Sequence, residues 1–491
     1  MKQSYPLLAF LFLLGLLAAC TDDDSFSTSP ANRLTFSTDT LRLDTTFSNV
    51  PTPTKSFWVY NHSGDGIRLT TVRLERGNQS GFRVNVDGVY LGQSSGFQTN
   101  EVEVRKDDSI RVFVELTSAY NHQDTPQLVS DNLVFTLESG VEQRVNLNAY
   151  SWDALLVNGL DIDHDTTIVS ERPIVIYRGI DIDSAATLTI GPSTTLYFHE
   201  NAGVNVDGRL RTLGQPGREV TLRGDRIDHM FDYLPYDRTP GQWRGIRFGA
   251  NSYDNEMEYT DLHSAYDGIV CDSATDSTRQ KLTLRQVTVH NCQGYGLTAM
   301  NCKITAHNTL ISNTLRDCLE LRGGVVELNH CTLAQFYPFD ASRMAAIRFA
   351  NDSPLHLSVA NSLITGYADD VLMGERADTT MAFDYHFDHC IIRTPKVTSA
   401  DSAYFTQVIF EDVADTARFA DKHFKLVDTD NLRYDFRLDS ISPAVNAANV
   451  ETALPVDRDG AARDSLPDIG AYEYRLPAQA NKIRRLWKTG N

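Results

Sequence analysis

A short unit that recurs through the middle of the chain limits the fold more than any other feature. Each copy has alternating apolar residues, then Asn, His or Asp, a small residue, two apolar residues and a turn into a second apolar strand. The second strands begin near Ile269, Leu297, Leu319, Ile347 and Val371, at steps of 28, 22, 28 and 24 residues. This period, with loops of unequal length, predicts a solenoid whose coils bury their apolar side chains against one another.

Similar coils precede the repeat. Apolar alternation covers residues 187–190, 195–198 and 204–210. Residues 241–248 read Gly-Gln-Trp-Arg-Gly-Ile-Arg-Phe and resemble the G-x-W-x-G-I motif of secreted right-handed parallel β-helix proteins. On these features, residues 155–425 resemble the pectate-lyase-like superfamily. The resemblance implies a right-handed parallel β-helix over residues 151–430, with roughly ten coils.

Residues 33–150 show a different pattern. Seven or eight short segments alternate apolar and polar residues and are separated by turn clusters such as Asn61 to Gly66. Such spacing predicts an immunoglobulin-like β-sandwich, and the order of segments resembles bacterial modules of the ASPM/SPD-2/Hydin type. The predicted fold class is therefore all-β, with an Ig-like sandwich followed by a right-handed parallel β-helix.

The N-terminus resembles a lipoprotein export signal. Lys2 precedes an apolar run from Leu7 to Leu17, which is too short for a comfortable membrane span. The run ends in Leu-Ala-Ala-Cys, which resembles a bacterial lipobox and implies removal of residues 1–19 and diacylation of Cys20. An ordinary signal peptide with a chance cysteine is the alternative.

The segment after Cys20 indicates the expected location. Residues 22–24 are three aspartates, which resemble the surface-export tag of lipoproteins from glycan-degrading Gram-negative bacteria, and residues 20–32 read as a flexible tether. We therefore expect a lipid-anchored, surface-exposed protein of the outer membrane. The formal net charge of -19 argues against nucleic acid as a partner, which leaves a polysaccharide or a surface protein.

The C-terminal part resembles the choice-of-anchor Q domain. The matching segments are Ser442 to Ala447, Asp457 to Gly460 and Pro467 to Tyr474, with Ala448 where the family usually has Gly. We expect residues 431–475 to form a closing segment that caps the last coil, because an uncapped β-helix leaves an open sheet edge. Residues 476–491 form a basic tail that is either a frayed end or a contact for anionic glycan.

Six cysteines remain after Cys20, and all of them lie within one stretch of the predicted β-helix. Four of them follow a His or an Asn, which suggests equivalent positions of the repeat with small side chains stacked inside the coil. Buried free thiols are the favoured interpretation, with disulfides as the alternative, and the absence of a CxxC pair argues against zinc. The six are Cys271, Cys292, Cys302, Cys318, Cys331 and Cys390.

No complete catalytic motif of β-helix polysaccharide enzymes is present. Of the polygalacturonase set only Asp369-Asp370 occurs, without Gly-His-Gly. Arg393-Thr394-Pro395 begins the pectate-lyase motif, but Thr398 stands where the second Arg is needed. Asp369, Asp370 and Arg393 are therefore weak catalytic candidates.

Metal-binding candidates are equally sparse. Asp161, Asp163 and Asp165 place three carboxylates on one face of a strand, which would suit calcium, although a solvated strand face is the commoner outcome. Asp457 and Asp459 offer a second such pair. Recurrent His290, His330 and His389 are interpreted as structural. The sequence identifies no cofactor, with Ca²⁺ the one candidate.

Aromatic residues in predicted loops suggest a binding role. Sugar rings stack on exposed aromatic side chains, and the candidates are Trp243, Tyr259, Tyr266 and Tyr337. The sequence therefore favours a protein that binds or presents carbohydrate, or mediates adhesion, without turnover. The alternatives are a polysaccharide lyase or glycoside hydrolase acting on an acidic glycan, and a purely structural part of a surface complex.

Overall fold

A computed structural model describes residues 25–475, and the fold class is all-β, as predicted. The boundary between two units lies between Asp153 and Ala154. Helical structure in the described range consists of short 3₁₀ turns at Gly77–Gln79, Gln93–Ser95, Tyr236–Arg238, Ala400–Tyr404 and Ala420–His423. No helix in residues 25–475 has the length and apolarity needed to cross a bilayer.

The first unit contains two five-stranded sheets, ordered β1-β3-β8-β5-β6 and β2-β10-β9-β4-β7. Inward residues of both sheets form one core, and β8 alternates between this core and the surface. All strand pairs are antiparallel except β2 with β10. The strands are β1 (Leu34–Phe36), β2 (Thr40–Phe47), β3 (Lys55–Asn61), β4 (Ile67–Leu74), β5 (Phe82–Val86), β6 (Val89–Tyr90), β7 (Gln98–Val104), β8 (Ser109–Leu116), β9 (Gln127–Leu137) and β10 (Glu142–Trp152).

The second unit is a parallel β-helix that begins with twelve short strands. Strands of successive coils pair in parallel. In addition, β21 and β22 form a small antiparallel hairpin. These strands are β11 (Leu155–Val157), β12 (Leu160–Ile162), β13 (Thr166–Ile168), β14 (Ile174–Ile176), β15 (Ile180–Ile182), β16 (Thr187–Ile190), β17 (Thr195–Phe198), β18 (Val204–Val206), β19 (Arg209–Leu213), β20 (Val220–Gly224), β21 (His229–Phe231) and β22 (Leu234–Pro235).

The β-helix then continues to β39, and an antiparallel hairpin of β40 and β41 follows it. The remaining strands are β23 (Ile246–Phe248), β24 (Asn255–Glu258), β25 (Thr260–His263), β26 (Ile269–Cys271), β27 (Gln280–Arg285), β28 (Thr288–Cys292), β29 (Leu297–His307), β30 (Leu310–Thr314), β31 (Leu319–Asn329), β32 (Thr332–Gln335), β33 (Ile347–Ala360), β34 (Leu363–Gly366), β35 (Leu372–Glu375), β36 (Phe383–Asp388), β37 (Ile391–Ile392), β38 (Phe405–Thr406), β39 (Ile409–Phe410), β40 (Phe424–Asp428) and β41 (Arg433–Leu438).

One side of the β-helix is an eleven-stranded sheet, called here the flank sheet. Its order is β11-β14-β17-β20-β25-β28-β30-β32-β34-β37-β39, one strand per coil. The described residues thus form eleven coils, close to the ten expected. A sixteen-stranded sheet supplies the rest of the wall, and the inward side chains of both sheets form one continuous core.

A left-handed corner residue precedes each of the seven flank-sheet strands from β25 onward. Asparagine and histidine are among the non-glycine residues most often found at positive φ. This geometry explains why Asn or His recurs in the repeat. The corner residues are Tyr259, Gln286, Asn308, His330, Asn361, His389 and Gln407, with φ between 41° and 54°.

The six cysteines from Cys271 to Cys390 are buried and free. Cys292, Cys302, Cys331 and Cys390 each follow a residue with positive φ, and each thiol contacts the carbonyl oxygen two residues earlier. The local conformations of these four cysteines are alike, but only Cys331 and Cys390 occupy the same corner of the coil. The prediction of equivalent repeat positions was therefore wrong for Cys292 and Cys302. Burial raises the pKa of the Cys331 and Cys390 thiols to about 12.

The closing segment, residues 431–475, lies along the outer face of the flank sheet. The backbone N–H of Gly470 donates to the Asn361 carbonyl, and that of Ala471 donates to Thr332 Oγ1. Ile469 and Ala471 join Leu310 and Leu363 in a small apolar core outside the coil. The expectation of a cap over the last coil was wrong, because the segment packs its apolar residues on the outer face of the flank sheet.

Candidate functional site

The outer face of the flank sheet changes character along the β-helix. The strand register places side chains of successive coils in two rows on this face. One row is Asp261, Thr288, Leu310, Thr332 and Leu363. The other row is His263, His290, Ser312 and Ala334. The later coils present the apolar members, which the closing segment covers. The earlier coils present two histidines and an aspartate, where covering them with apolar groups would be costly.

A cleft of about 410 Å³ lies between these polar residues and the closing segment. Its floor includes Asp261 and His290 from β25 and β28. The hairpin contributes residues 432–437, and the turn at Arg458 and Asp459 completes the wall. The volume lies within the usual range of small-ligand sites, but its lining is more polar than most.

Four side chains form a connected group, called here the Asp-His cluster: Asp237, Asp261, His263 and His290. Three of them line the cleft, and His263 is buried beside them. His263 Nδ1 lies 2.5 Å from Asp261 Oδ1, and its Nε2 lies 2.8 Å from Asp237 Oδ1. His290 Nε2 is 3.3 Å from the same Asp261 oxygen, and the two imidazole rings lie 4.8 Å apart. Parallel register and i,i+2 spacing bring Asp261, His263 and His290 to one face.

Electrostatics fix the charges of the cluster. Burial favours neutral His263, but Asp261 and Asp237 outweigh this and raise the pKa of His263 to about 9. Burial likewise disfavours ionised Asp261, yet His290 and His263 hold its carboxyl pKa well below the usual range. The pKa of Asp237 is lowered by His263 and Arg223 despite burial. A protonated His263 between two carboxylates is therefore the stable state near neutral pH.

Arg458 ties the closing segment to the floor of the cleft. Its buried guanidinium donates from Nε to Thr288 Oγ1 over 2.9 Å and from Nη1 to Glu219 Oε1 over 2.5 Å. Arg223, on the other side, pairs with Asp237 at 2.7 Å. Arg223 thus holds the cluster directly through Asp237, whereas Arg458 bonds to neighbouring residues of the cleft.

The predicted catalytic candidates lie away from the cleft, where Arg393 belongs to a buried ion network and Asp369 lies at its exposed edge. Arg393 contacts Asp369 at 3.2 Å and Glu411 at 3.1 Å, while Asp370 accepts the backbone N–H of Leu372. His423 bridges Glu411 and Ser442, with distances of 3.0 and 2.7 Å. Arg393 is 7% exposed, and Glu411 and His423 are fully buried. Arg393 is therefore inaccessible to a polymer, whereas the Asp369 side chain is 78% exposed, so Asp369 and Asp370 stay untested predictions.

The predicted carboxylate trio does not converge on a metal position. Asp163 pairs with His164 at 2.6 Å, and Asp165 accepts the backbone N–H of Thr187. Among residues 25–475, the one group whose ligand atoms all lie within 4.8 Å of one another is Asp261, His263 and His290. The Asp161, Asp163 and Asp165 assignment was therefore wrong. The sequence signal that could have replaced it is Asp-x-His followed by His one coil later.

Three of the four aromatic candidates are buried. Trp243 is 1% exposed, stacks on Phe198 at 4.4 Å and donates from Nε1 to the His263 carbonyl. Tyr337 and Tyr259 are also buried, so none of these three rings offers a face to a sugar, and the prediction was wrong for them. Tyr266 is 51% exposed and remains a candidate.

Cys20 and the basic tail, residues 476–491, lie outside the described residues. No model of a known protein family matches the chain, and no curated protein matches it significantly.

Several solved structures share a low-level likeness. A Yersinia enterocolitica family 28 exopolygalacturonase is 10% identical over 72% of this chain and 81% of its own, with a TM-score of 0.25. The Agl-KA catalytic domain is 9% identical over 74% and 91%, with a TM-score of 0.19. A Clostridium perfringens family 123 glycoside hydrolase is 6% identical over 25% of this chain and 26% of its own, with a TM-score of 0.17. This chain thus spans about a quarter of that hydrolase, and none of the three likenesses bears on activity.

Proposed function

We propose that this chain is a carbohydrate-binding protein of the outer-membrane surface, with its ligand in the cleft and its anchor at an acylated Cys20. The observation that carries the binding proposal is an open cleft of about 410 Å³ with a balanced set of charged hydrogen-bonding groups. Five carboxylates and four guanidiniums line it: Glu219, Asp237, Asp261, Asp435, Asp459, Arg238, Arg433, Arg437 and Arg458.

Such a lining suits a polyhydroxylated ligand. Each sugar hydroxyl both donates and accepts, so it pairs with carboxylate and guanidinium groups alike, and bonds to charged groups are the stronger ones. Tyr434 stacks on Phe436 at 5.7 Å, and both line the cleft, which adds an aromatic surface. Because carboxylates are in slight excess, a neutral glycan fits better than a polyuronate.

The test of binding uses the purified chain and a panel of neutral and acidic polysaccharides, with isothermal titration and an assay for new chain ends. Arg238 and Arg433 line the cleft, and Arg433 is well exposed. We expect the double variant Arg238→Ala, Arg433→Ala to weaken glycan binding at least about tenfold, because each loses charge-assisted hydrogen bonds.

The matched control is Arg247→Ala, Arg279→Ala. These exposed arginines also have acidic partners, Asp272 and Asp254, but lie outside the cleft. Equal losses in both double variants would contradict a ligand in the cleft. New reducing or unsaturated ends would replace the binding proposal with turnover by a hydrolase or lyase, and no retention of any glycan would favour adhesion to a protein.

The anchor is tested separately in cells. We expect Cys20→Ser to abolish incorporation of a fatty-acid label and to move the protein from the membrane fraction to the soluble fraction, because stable anchoring needs the acyl chains. A wild-type chain that takes up no label would contradict acylation. This outcome is independent of glycan binding in the cleft.

A further inference from the structure

We infer that Asp261, His263 and His290 form a binding site for one divalent transition-metal ion at the floor of the cleft. This inference goes beyond glycan binding and does not depend on it. Two imidazoles and one carboxylate are a common ligand set for Zn²⁺ and its neighbours, and three protein ligands leave a position open to solvent or substrate.

The backbone places the three ligands before any metal arrives. Asp261 and His263 alternate to the same face of β25, and parallel pairing sets His290 of β28 beside His263. All three ligand atoms lie within 4.8 Å of one another. Because these residues stand on strands of a stacked sheet rather than on loops, little ordering accompanies metal binding.

Distances within the group fit tetrahedral coordination. Bonds of about 2.0–2.1 Å imply separations near 3.3 Å between ligand atoms, and His290 Nε2 lies 3.3 Å from Asp261 Oδ1. His263 Nδ1 and Asp261 Oδ1 are closer, at 2.5 Å, because they share a hydrogen bond. A metal ion would replace that shared proton, and the distance between the two atoms would increase by less than about 1 Å.

Asp237 supplies the outer support that metal-bound histidines usually have. Its Oδ1 lies 2.8 Å from His263 Nε2, so this nitrogen carries the proton and Nδ1 faces Asp261 and His290. Arg223 holds Asp237 at 2.7 Å from the opposite side. Asp237 is thus a positioning residue. The two ligands Asp261 and His290 line the cleft, which leaves the ion accessible.

The test uses the full chain, purified without a polyhistidine tag and stripped with a chelator. Zn²⁺, Co²⁺ and Ca²⁺ are titrated separately by calorimetry, and bound metal is counted by elemental analysis. We expect one Zn²⁺ per chain, weak or no Ca²⁺ binding, and at least 100-fold weaker Zn²⁺ binding in His290→Asn and Asp261→Asn. Asp237→Asn should weaken binding 10- to 100-fold without changing the stoichiometry.

His164→Asn is the matched control, because His164 also pairs with an aspartate, Asp163, but has no second histidine within reach. Its Zn²⁺ affinity should equal that of the wild type. Equal affinity in His290→Asn and the wild type, or a preference for Ca²⁺, would overturn the site.

A spectroscopic measurement on the wild-type protein tests the metal site even if the variants do not fold. Co²⁺ in a four-coordinate nitrogen–oxygen site absorbs visible light strongly, whereas aqueous Co²⁺ absorbs weakly. We expect the strong bands and their loss on adding Zn²⁺; a spectrum equal to that of aqueous Co²⁺ would overturn the inference. The Arg238→Ala, Arg433→Ala variant should keep its metal, so failure of glycan binding and failure of the metal site are distinguishable.

Discussion

A buried histidine at one corner of the β-helix links pH to stability. His330 is fully buried, and burial, with Arg463 nearby, lowers its pKa to about 3. The unfolded chain takes up the proton near pH 6.5 and the folded chain only near 3, so stability falls as pH drops through that window, by about 1.4 kcal/mol per pH unit.

We therefore expect His330→Asn to lessen the loss of stability between pH 6.5 and pH 3. Asn308 and Asn361 occupy the same left-handed corner in other coils, so the backbone accepts asparagine there. The urea midpoint, followed by far-UV circular dichroism at several pH values, measures the effect. His389→Asn, at a corner where the ring is partly exposed and pairs with Asp388, is the control; equal changes in both would contradict the prediction.

Individual residues show where sequence reasoning succeeded and where it failed. The recurrence of Asn and His in the repeat was visible in the sequence, and the structure explains it, because few residues tolerate the positive φ of the corners. Exposure of Trp243 and Tyr337 depends on which distant loop or strand covers each ring, and no local pattern records that. The cleft cluster was missed because Asp237, Asp261 and His290 lie in three separate segments.

Among the elements, the Gly-rich turn before β23 allows two coils to approach closely. Gly245 has φ of 88°, and a Cβ there would lie 1.6 Å from the Asp267 carbonyl oxygen. Val204 also donates its backbone N–H to the Gly245 carbonyl. The second glycine of the G-x-W-x-G-I motif is thus required by the close approach of adjacent coils.

We expect Gly245→Ala to lower the free energy of unfolding by more than about 2 kcal/mol, through left-handed strain and a backbone clash together. Gly217→Ala is the matched control, since Gly217 has φ of 71° but open space around its Cα. It should cost only about 1 kcal/mol, the strain alone. Urea denaturation gives both values, and similar losses would show that coil contact does not matter.

The strands themselves were well predicted from the sequence. The repeat of 22 to 28 residues gave the parallel coil, since one coil must return to the same register. Placement of the closing segment was not predictable in the same way. Its motif carries no sign of the surface it contacts, and the apolar strip formed by Leu310, Leu363 and their neighbours exists only after the coils stack.

For the whole molecule, the closing segment protects an apolar surface of the β-helix. Ala471 is fully buried against the flank sheet. We expect Ala471→Asp to detach residues 442–475, because an unpaired buried carboxylate is costly. Limited proteolysis should then cut this segment while the coils stay resistant, and binding of a hydrophobic dye should increase.

Ala462→Asp provides the control, because Ala462 lies in the same segment and is exposed. It should leave the protease pattern unchanged. A resistant closing segment in Ala471→Asp would contradict the protective role. Early cleavage within the coils would show instead that the β-helix does not keep its structure once the segment is detached.

The contacts of the closing segment also limit how this protein can evolve. Arg458 reaches Glu219 and Thr288, Ala471 reaches Thr332, and Gly470 reaches Asn361. Adding or deleting one coil between Glu219 and Asn361 would shift these partners by about 4.8 Å and break the set. The contacts of the closing segment therefore fix the number of coils in this part of the β-helix. The segment also reaches Asp388 through Asn449 Nδ2, so duplication of coils is compatible with its contacts only before Glu219 or after Asp388.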